Sequence, residues 1–213
     1  MYRLGCLLLG YLFGLIQTGY LIGKIRHKDI RQYGSGNTGA TNTLRTFGKK
    51  AGALALLGDC LKCVLAMSAA VMLFRNVGGA EPGLVQLYAA AGCILGHNFP
   101  FYMNFKGGKG VAASLGFVAA YDWHLVIPIL LAFVLVVAVT RYVSLGSLTA
   151  YTVGITLAVI FTIRGNYGMN TAGRVESCIL FVLLLCLAFW QHRENIQRLK
   201  NGTENKLGQK KGG

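Results

Sequence analysis

Charged side chains are scarce in this sequence, and acidic ones are the scarcest. Only 13% of the 213 residues are Asp, Glu, Lys or Arg, whereas 54% are hydrophobic and the mean hydropathy is +0.52. A chain this apolar is not an ordinary soluble domain. Its 7 acidic residues stand against 21 Lys and Arg, for a formal net charge of +14. In so apolar a chain that excess indicates contact with membrane lipids and argues against nucleic acid as a partner.

A metal-ligand pattern is also missing. Cys60 and Cys63 form one C-x-x-C, but Lys62 lies between them inside an apolar segment, and no second pair follows. Val64 excludes the haem-attachment pattern. We therefore predict no metal and no cofactor, and we interpret all six cysteines as small apolar packing residues.

What the sequence does have is a series of long apolar segments. A membrane helix needs about 20 mostly apolar residues. Seven candidate segments cover residues 4–23, 51–74, 83–103, 111–123, 124–140, 143–163 and 175–191. The first lacks a small-x-small cleavage site, which favours an uncleaved anchor. No internal repeat or separate soluble domain is visible. We predict one all-α, polytopic integral membrane domain over residues 1–213, with about seven transmembrane helices and a polar tail at 193–213.

Basic residues predict the orientation of these segments. They concentrate in the loop 24–50, at Lys106 and Lys109, at Arg141 and in the tail. With seven spans these connections alternate onto one side, which the positive-inside rule assigns to the cytoplasm. Merging residues 111–140 into one span would put the basic tail opposite the basic first loop. We therefore predict an outside N-terminus, a cytoplasmic C-terminus, and an active site where the polar loops converge on the cytoplasmic face.

Residues 34–45, GSGNTGATNTLR, form a polar stretch that is rich in glycine. Its glycines allow tight turns and close approach of a ligand to backbone N–H groups, and Arg45 offers a planar fork suited to phosphate oxygens. We interpret it as a cradle for a phosphorylated ligand, the alternative being an ordinary loop between membrane helices. The stretch satisfies G-x-G-x-x-G, but no strand precedes it, so a dinucleotide site is excluded.

A second glycine-rich stretch, GHNFPFYMNFKGGKG at 96–110, surrounds Lys109. It is not a P-loop, because Gly110 stands where Ser or Thr would bind magnesium. A glycine hinge with snorkelling lysines is the alternative to an anion site, and for His97 the alternative is a hydrogen bond at a helix end. Asp59 and Lys62, three residues apart, share one helix face, and we predict that they form an intramembrane ion pair.

The tail HRENIQRLKNGTE places His192, Asn195 and Ile196 at helical spacing, and Gly202 is a predicted helix stop. An amphipathic helix on lipid headgroups is the alternative to a catalytic role. Together with RYVSLGS at 141–147, the three polar stretches resemble the signature motifs of the bacterial acyl-phosphate:glycerol-3-phosphate acyltransferase family (PlsY). The resemblance covers essentially the whole chain. It departs at Thr38, where proline is common, and at Ala113, where threonine is common.

The resemblance implies transfer of a fatty acyl group from acyl phosphate to the 1-hydroxyl of glycerol 3-phosphate. The products would be 1-acyl-glycerol 3-phosphate (lysophosphatidic acid) and phosphate, in the first step of phospholipid biosynthesis. It further implies a bacterial inner-membrane enzyme that functions as a monomer. The His-x4-Asp pattern of soluble-type acyltransferases is absent.

The same resemblance assigns the site residues. Those with catalytic roles are Ser35, Asn37, Arg45, Lys109, His192 and Asn195, and those with substrate-binding roles are Asn42, His97, Lys106, Ser144 and Glu204. Arg45 and Lys109 would hold phosphate charge. Ser35 and Asn37 would orient acyl phosphate, whereas His192 and Asn195 would position glycerol 3-phosphate. Direct attack by the glycerol hydroxyl is the preferred path, and an acyl-Ser35 intermediate is the alternative.

A membrane transporter of a phosphorylated metabolite would also explain apolar helices joined by basic loops. Transporters, however, usually place polar groups near the midplane on broken, repeat-related helices. Here the polar stretches gather on one predicted side and no repeat is visible. A purely structural membrane subunit would leave the Ser, Asn, Arg, Lys and His set unexplained.

Overall fold

The computed structural model describes residues 1–208, and residues 209–213 of the predicted tail lie outside it. Within the described part every regular element is helical, which confirms the all-α prediction. The helices are α1 (Tyr2–Gly14), α2 (Thr18–Ile25), α3 (Ala40–Phe47), α4 (Lys49–Phe74), α5 (Pro82–Asn98), α6 (Val111–Tyr121), α7 (Val126–Thr140), α8 (Val143–Ile163), α9 (Thr171–Gln191) and α10 (Arg193–Lys200). Short 3-10 turns occupy Ile30–Gln32, Phe101–Met103 and Trp123–Leu125.

Five segments of the described chain are long and apolar enough to cross a membrane. They are Tyr2–Ile25, Lys49–Phe74, Trp123–Thr140, Val143–Ile163 and Thr171–Gln191. Large apolar side chains are exposed along them, as expected of surfaces that face lipid. The protein is therefore a polytopic integral membrane protein. The predicted seven spans also include α5, with 17 residues, and α6, with 11, so that number stays a prediction.

The chain divides into two compact units, Met1–Asp122 and Trp123–Gly213. In the first, glycines allow helix backbones to pack closely. A Cβ on Gly10 or Gly14 of α1 would collide with the backbone of α5, and a Cβ on Gly92 or Gly96 of α5 would collide with α1. Gly116 of α6 packs in the same way against the backbone of α4. Small residues that let backbones approach are a usual means of joining membrane helices.

The first predicted span is not one continuous helix. It breaks at residues 15–17, where Gln17 is extended (φ −99°, ψ 91°) before α2 begins. A break inside an apolar segment frees carbonyl groups that need hydrogen-bond donors. The carbonyls of Gly14 and Ile16 accept hydrogen bonds from Nζ of Lys62, at 3.3 and 2.5 Å. The break is thus stabilised by a charged side chain of α4.

In the second unit, α7 and α8 are joined by only two residues, Arg141 and Tyr142, with Arg141 in the left-handed region (φ 64°). Such a short connection makes α7 and α8 antiparallel neighbours. Helix α8 also packs against α9, and His192 alone separates α9 from α10. After α10 the chain returns to Arg141, whose carbonyl accepts a 2.7 Å hydrogen bond from the N–H of Leu207 and whose guanidinium donates to the Leu207 carbonyl at 2.8 Å.

Candidate active site

The loop before α3 is organised by the buried side chain of Asn42. Its Oδ1 accepts a 2.8 Å hydrogen bond from the N–H of Ser35. Its Nδ2 donates to the carbonyls of Asn37 at 2.8 Å, Tyr33 at 3.0 Å and Ile30 at 3.3 Å. These contacts fold the chain around Asn42 and leave Ser35 exposed on the outer surface of the turn. Asn42 therefore shapes the loop from within.

Two glycines make this turn possible. Gly34 and Gly36 have φ values of +61° and +72°, which other residues rarely adopt. A Cβ on Gly34 would also collide with Oδ1 of Asn42. The glycine pattern predicted a tight turn, and the positive φ values of Gly34 and Gly36 confirm it. Approach of a ligand to backbone N–H groups of the loop stays a prediction.

The second glycine-rich stretch lies directly against the first. The N–H groups of Gly107 and Gly108 donate to the carbonyls of Asn98 and His97, at 3.1 and 3.0 Å, so the stretch folds back onto the end of α5. Asn37 then donates from Nδ2 to the carbonyl of Gly107 at 3.4 Å. The structure thus brings together two polar loops that are 70 positions apart in sequence.

Three of the predicted site residues in these two stretches are cations. Arg45 lies in the last turn of α3, Lys109 is half-buried, and Lys106 is exposed. The only acidic residue before position 59 is Asp29. Hydrogen bonds from the Arg31 side chain hold the pKa of Asp29 below its usual value, so this carboxylate stays ionised and paired with Arg31. The local charge is strongly positive, as suits a phosphorylated ligand.

His97, predicted to contact substrate, lies in the interior of the first unit. It is buried at the end of α5, and its Nδ1 is 2.7 Å from Nζ of Lys62. Lys62 in turn lies 2.9 Å from Oδ1 of Asp59, which confirms the predicted intramembrane ion pair. The observed contacts of His97 are therefore with protein groups beneath the loops.

The second unit contains a separate polar cluster centred on the buried carboxylate of Glu204. Its Oε1 accepts hydrogen bonds from Ser144 Oγ at 2.8 Å and Asn195 Nδ2 at 2.7 Å. Its Oε2 accepts from Nε of Arg198 at 2.8 Å. Glu204 thus connects α8, α10 and the segment after α10. The predicted residues Ser144 and Asn195 are each in direct contact with a third predicted residue, Glu204.

His192 is buried between α9 and α10. Its Nδ1 is 2.8 Å from the carbonyl of Ala188, and its ring meets that of Tyr151 edge-on, with centroids 6.3 Å apart. A carbonyl can only accept, so the proton of the neutral imidazole is on Nδ1. Nε2 is then the nitrogen able to take up a proton. This tautomer would suit a base or a hydrogen-bond acceptor for a hydroxyl group.

We expect the Glu204 cluster to contribute less to folding stability at acidic pH. Burial raises the pKa of Glu204, but hydrogen bonds from Arg198, Asn195 and Ser144 outweigh burial and hold the pKa below its usual value. A lowered pKa in the folded state adds stability above the unfolded-state value of about 4.3. That stability is lost as the pH falls through the lower folded-state value.

We therefore expect the difference in Tm between the wild type and Glu204→Gln to narrow as the pH falls from 7 to below 4. Thermal melting of the purified protein in detergent would measure it. Glu194→Gln is the matched control, because Glu194 is exposed and pairs with Arg198 only at 3.8 Å. A Tm difference for Glu204→Gln that is the same at every pH would contradict the expectation.

Sequence reasoning missed several residues that support the candidate site. Arg198 is one such residue, and its spacing of three from Asn195 places both on one face of α10. Gln17 was not a candidate and Thr38 stood out only as a departure from the family motif, yet Thr38 donates from Oγ1 to Oε1 of Gln17 at 3.0 Å with both side chains buried. Their importance is visible only once the chain is folded.

Comparisons with a family model and with curated relatives indicate the same family. Residues 4–202 match the family model described as glycerol-3-phosphate acyltransferase. A glycerol-3-phosphate acyltransferase of Clostridioides difficile (strain 630) is 46% identical over 203 residues, covering 94% of this chain and 93% of the relative. One of Rhodopseudomonas palustris (strain HaA2) is 43% identical over 209 residues, covering 98% and 97%.

Solved structures agree with these relatives. The fold is similar to the crystal structure of PlsY (YgiH), an integral membrane glycerol 3-phosphate acyltransferase, in its glycerol 3-phosphate form. The TM-score is 0.81 at 34% identity, covering 98% of this chain and 96% of that one. The lysophosphatidic acid form of PlsY gives a TM-score of 0.80 at the same identity and coverage.

Fold, polar loops and relatives together define an integral membrane acyltransferase. More particularly, the chain belongs to the glycerol-3-phosphate acyltransferase family. The family resemblance of the sequence motifs is thereby confirmed.

Proposed function

We propose that this protein transfers a fatty acyl group from acyl phosphate to the 1-hydroxyl of glycerol 3-phosphate, giving lysophosphatidic acid and phosphate. The match to glycerol-3-phosphate acyltransferases along nearly the full chain carries the proposal. It agrees with the similar PlsY structures, which include a glycerol 3-phosphate form and a lysophosphatidic acid form. Acyl phosphate as the donor is our own inference, and the paired polar loops of the first unit support it.

In the first unit, we assign the donor phosphate to the two glycine-rich loops. Ser35 and Asn37, together with N–H groups of the loops, would orient the phosphate. Arg45 and Lys109, with Lys106 nearby, would hold its charge, which grows on the leaving group as the acyl–oxygen bond breaks. Asn42 would act by shaping the first glycine-rich loop, because its amide already forms hydrogen bonds with four backbone groups within residues 30–37.

In the second unit, we assign glycerol 3-phosphate to His192, Asn195 and Ser144. Glu204 is better suited to positioning than to substrate contact. A carboxylate repels a phosphate dianion, and both of its oxygens already accept hydrogen bonds from protein side chains. By holding Ser144 and Asn195, Glu204 would fix the geometry of groups that meet the ligand.

Acyl transfer from acyl phosphate requires little of the protein beyond positioning of the two substrates. An acyl phosphate is a mixed anhydride with a good leaving group, so holding the two substrates in line and stabilising charge supplies the catalysis. The glycerol hydroxyl attacks the acyl carbon, the bond to the phosphate oxygen breaks, and the hydroxyl proton passes to a phosphate oxygen or to Nε2 of His192. We further propose that the monomer is active.

Incubation of the purified protein with acyl phosphate and labelled glycerol 3-phosphate tests the proposal directly. Labelled lysophosphatidic acid and one equivalent of phosphate are the expected products. Parallel reactions with acyl-CoA and with acyl-acyl carrier protein should give no product. Product from acyl-CoA but none from acyl phosphate would refute the proposed donor. A transporter would instead move labelled glycerol 3-phosphate into vesicles without chemical change.

Orientation in the bacterial inner membrane is part of the proposal and follows from the basic loops. In a variant whose six native cysteines are replaced, a cysteine at Gly107 or after His192 should react with an impermeant thiol reagent only after the cells are opened. A cysteine at Asp122 or Asn166 is the matched control and should react in intact cells. Labelling of Gly107→Cys from outside would contradict the orientation.

A further inference from the structure

The buried ion pair of Asp59 and Lys62 in the first unit contacts several elements other than its own helix. Nζ of Lys62 lies 2.9 Å from Oδ1 of Asp59, with both side chains at most 3% exposed. The same ammonium reaches the carbonyl of Ile16 at 2.5 Å and Nδ1 of His97 at 2.7 Å. Oδ1 of Asp59 also accepts from the hydroxyl of Thr18 at 3.1 Å. The pair therefore joins α4 to the α1–α2 break and to the end of α5.

His97 extends these contacts to the second glycine-rich loop. An ammonium has only donors, so Nδ1 of His97 accepts from Lys62 and the imidazole proton is on Nε2. Nε2 lies against Gly108, where a Cβ would collide with it. The backbone carbonyl of His97 accepts the N–H of Gly108 at 3.0 Å. The imidazole ring and the backbone carbonyl of His97 thus both hold the backbone of Gly108, which precedes Lys109.

Gln17 connects the same carbonyl to the first loop. Its Nε2 donates to the carbonyl of His97 at 2.9 Å, and its Oε1 accepts from the hydroxyl of Thr38 at 3.0 Å. Thr38 lies between Asn37 and Gly39 in the turn that carries Ser35. The carbonyl of His97 therefore accepts two hydrogen bonds, one from the N–H of Gly108 and one from Gln17. Because Gln17 also accepts from Thr38, the carbonyl is connected to both loops.

We propose that this buried cluster of Gln17, Thr38, Asp59, Lys62 and His97 positions the two loops relative to each other for acyl transfer. The inference rests on the proposed function. These are positioning residues, since every contact described for them is with protein groups. Placing two charges inside a membrane helix is unfavourable unless they are well paired. The ion pair is not needed to pack α1 against α5, because glycines already let these two helices approach closely. The cluster instead fixes the spacing between Asn37 and Gly107, on which a shared phosphate site depends.

Thr38 offers the mildest test, because its side chain can be changed with little change in volume. Thr38→Val keeps the shape and removes the hydroxyl that reaches Gln17. We expect kcat/KM for acyl phosphate to fall by about three- to tenfold, the effect of one lost hydrogen bond. Thr38→Ser keeps the hydroxyl and should stay within about twofold of the wild type. Equal kcat/KM values for Thr38→Val and the wild type would overturn the proposal.

The ion pair is tested by replacing both partners together. A single replacement would leave the other charge buried and unpaired, which strongly destabilises a fold, so the double variant Asp59→Asn, Lys62→Met is used. We expect its kcat/KM to fall by about tenfold because the loops lose their fixed spacing. Amide hydrogen exchange should become faster in peptides that cover 34–39 and 105–110.

Met67→Ala is the control for general damage to α4, because Met67 is buried in that helix and belongs to no contact of the cluster. It should lower Tm while exchange in the two loops stays at the wild-type rate. Faster loop exchange in Met67→Ala equal to that in the double variant would overturn the proposal. If the double variant does not fold, the Thr38→Val and Thr38→Ser pair decides.

A different result would refute the proposed function itself. In that case the wild-type protein would not use acyl phosphate at all. The exchange measurement needs no activity, so it still decides whether the cluster orders the loops. Unchanged exchange in a folded double variant would refute that ordering whatever the enzyme's donor is.

Discussion

Arg45→Ala and Lys109→Ala are each expected to lower kcat/KM for acyl transfer by about 30- to 1000-fold, which corresponds to about 2–4 kcal/mol of lost transition-state stabilisation. Negative charge builds up on the phosphate as the acyl–oxygen bond breaks, and cations that meet it are worth most at that moment. The two residues flank the paired loops, one in the last turn of α3 and one just before α6. Steady-state kinetics with acyl phosphate varied at saturating glycerol 3-phosphate would measure the loss.

Conservative and remote replacements make this test specific. Arg45→Lys keeps the charge but loses the planar fork, so it should also fail if the contact with phosphate is bidentate. Lys50→Ala is the matched control, because it removes an exposed charge from the first turn of α4, outside the candidate site. Its activity should be close to that of the wild type. Full activity in Arg45→Ala would remove Arg45 from the site.

Long apolar segments made the helical membrane fold predictable, but not the break in its first span. The residues Leu15, Ile16 and Gln17 continue an apolar segment and contain no proline or glycine to stop it. The break is stabilised by Lys62, which is 46 positions away from Ile16. Local sequence does not contain such a partner. The ion pair itself was predictable, because two opposite charges three residues apart in an apolar helix have few alternatives to pairing.

The motifs predicted candidate site residues, and the structure shows what each of these residues contacts. Asn42 and Glu204 were both expected to contact substrate, and that prediction stays untested. Their observed contacts are with the protein: Asn42 with backbone groups that precede α3, and Glu204 with Ser144, Asn195 and Arg198. A motif contains both the residues that touch a ligand and those that hold them. Only the direction of each side chain in the folded protein separates the two groups.

The role of Ser35 distinguishes two chemical paths for acyl transfer. On the direct path Ser35 only hydrogen-bonds the donor, and on the covalent path its hydroxyl is the nucleophile. A nucleophilic serine needs a base within hydrogen-bond reach. In the first unit, the imidazole of His97 is engaged with Lys62 through Nδ1 and faces Gly108 with Nε2. The hydrogen bond described for Ser35 runs from its N–H to Asn42. These contacts favour the direct path.

Ser35→Ala is therefore expected to lower kcat/KM by about 5- to 150-fold, the loss of about 1–3 kcal/mol, and to keep measurable turnover. A nucleophilic Ser35 would predict a fall to background, together with ping-pong kinetics and acyl label retained on the protein when glycerol 3-phosphate is withheld. Initial rates over a grid of both substrates distinguish intersecting from parallel lines, and mass spectrometry of the protein detects an ester. Because an acyl phosphate is already activated, a covalent step would add an intermediate without lowering a high barrier. Trapping of an acyl-Ser35 ester that passes its acyl group to glycerol 3-phosphate would establish the covalent path instead.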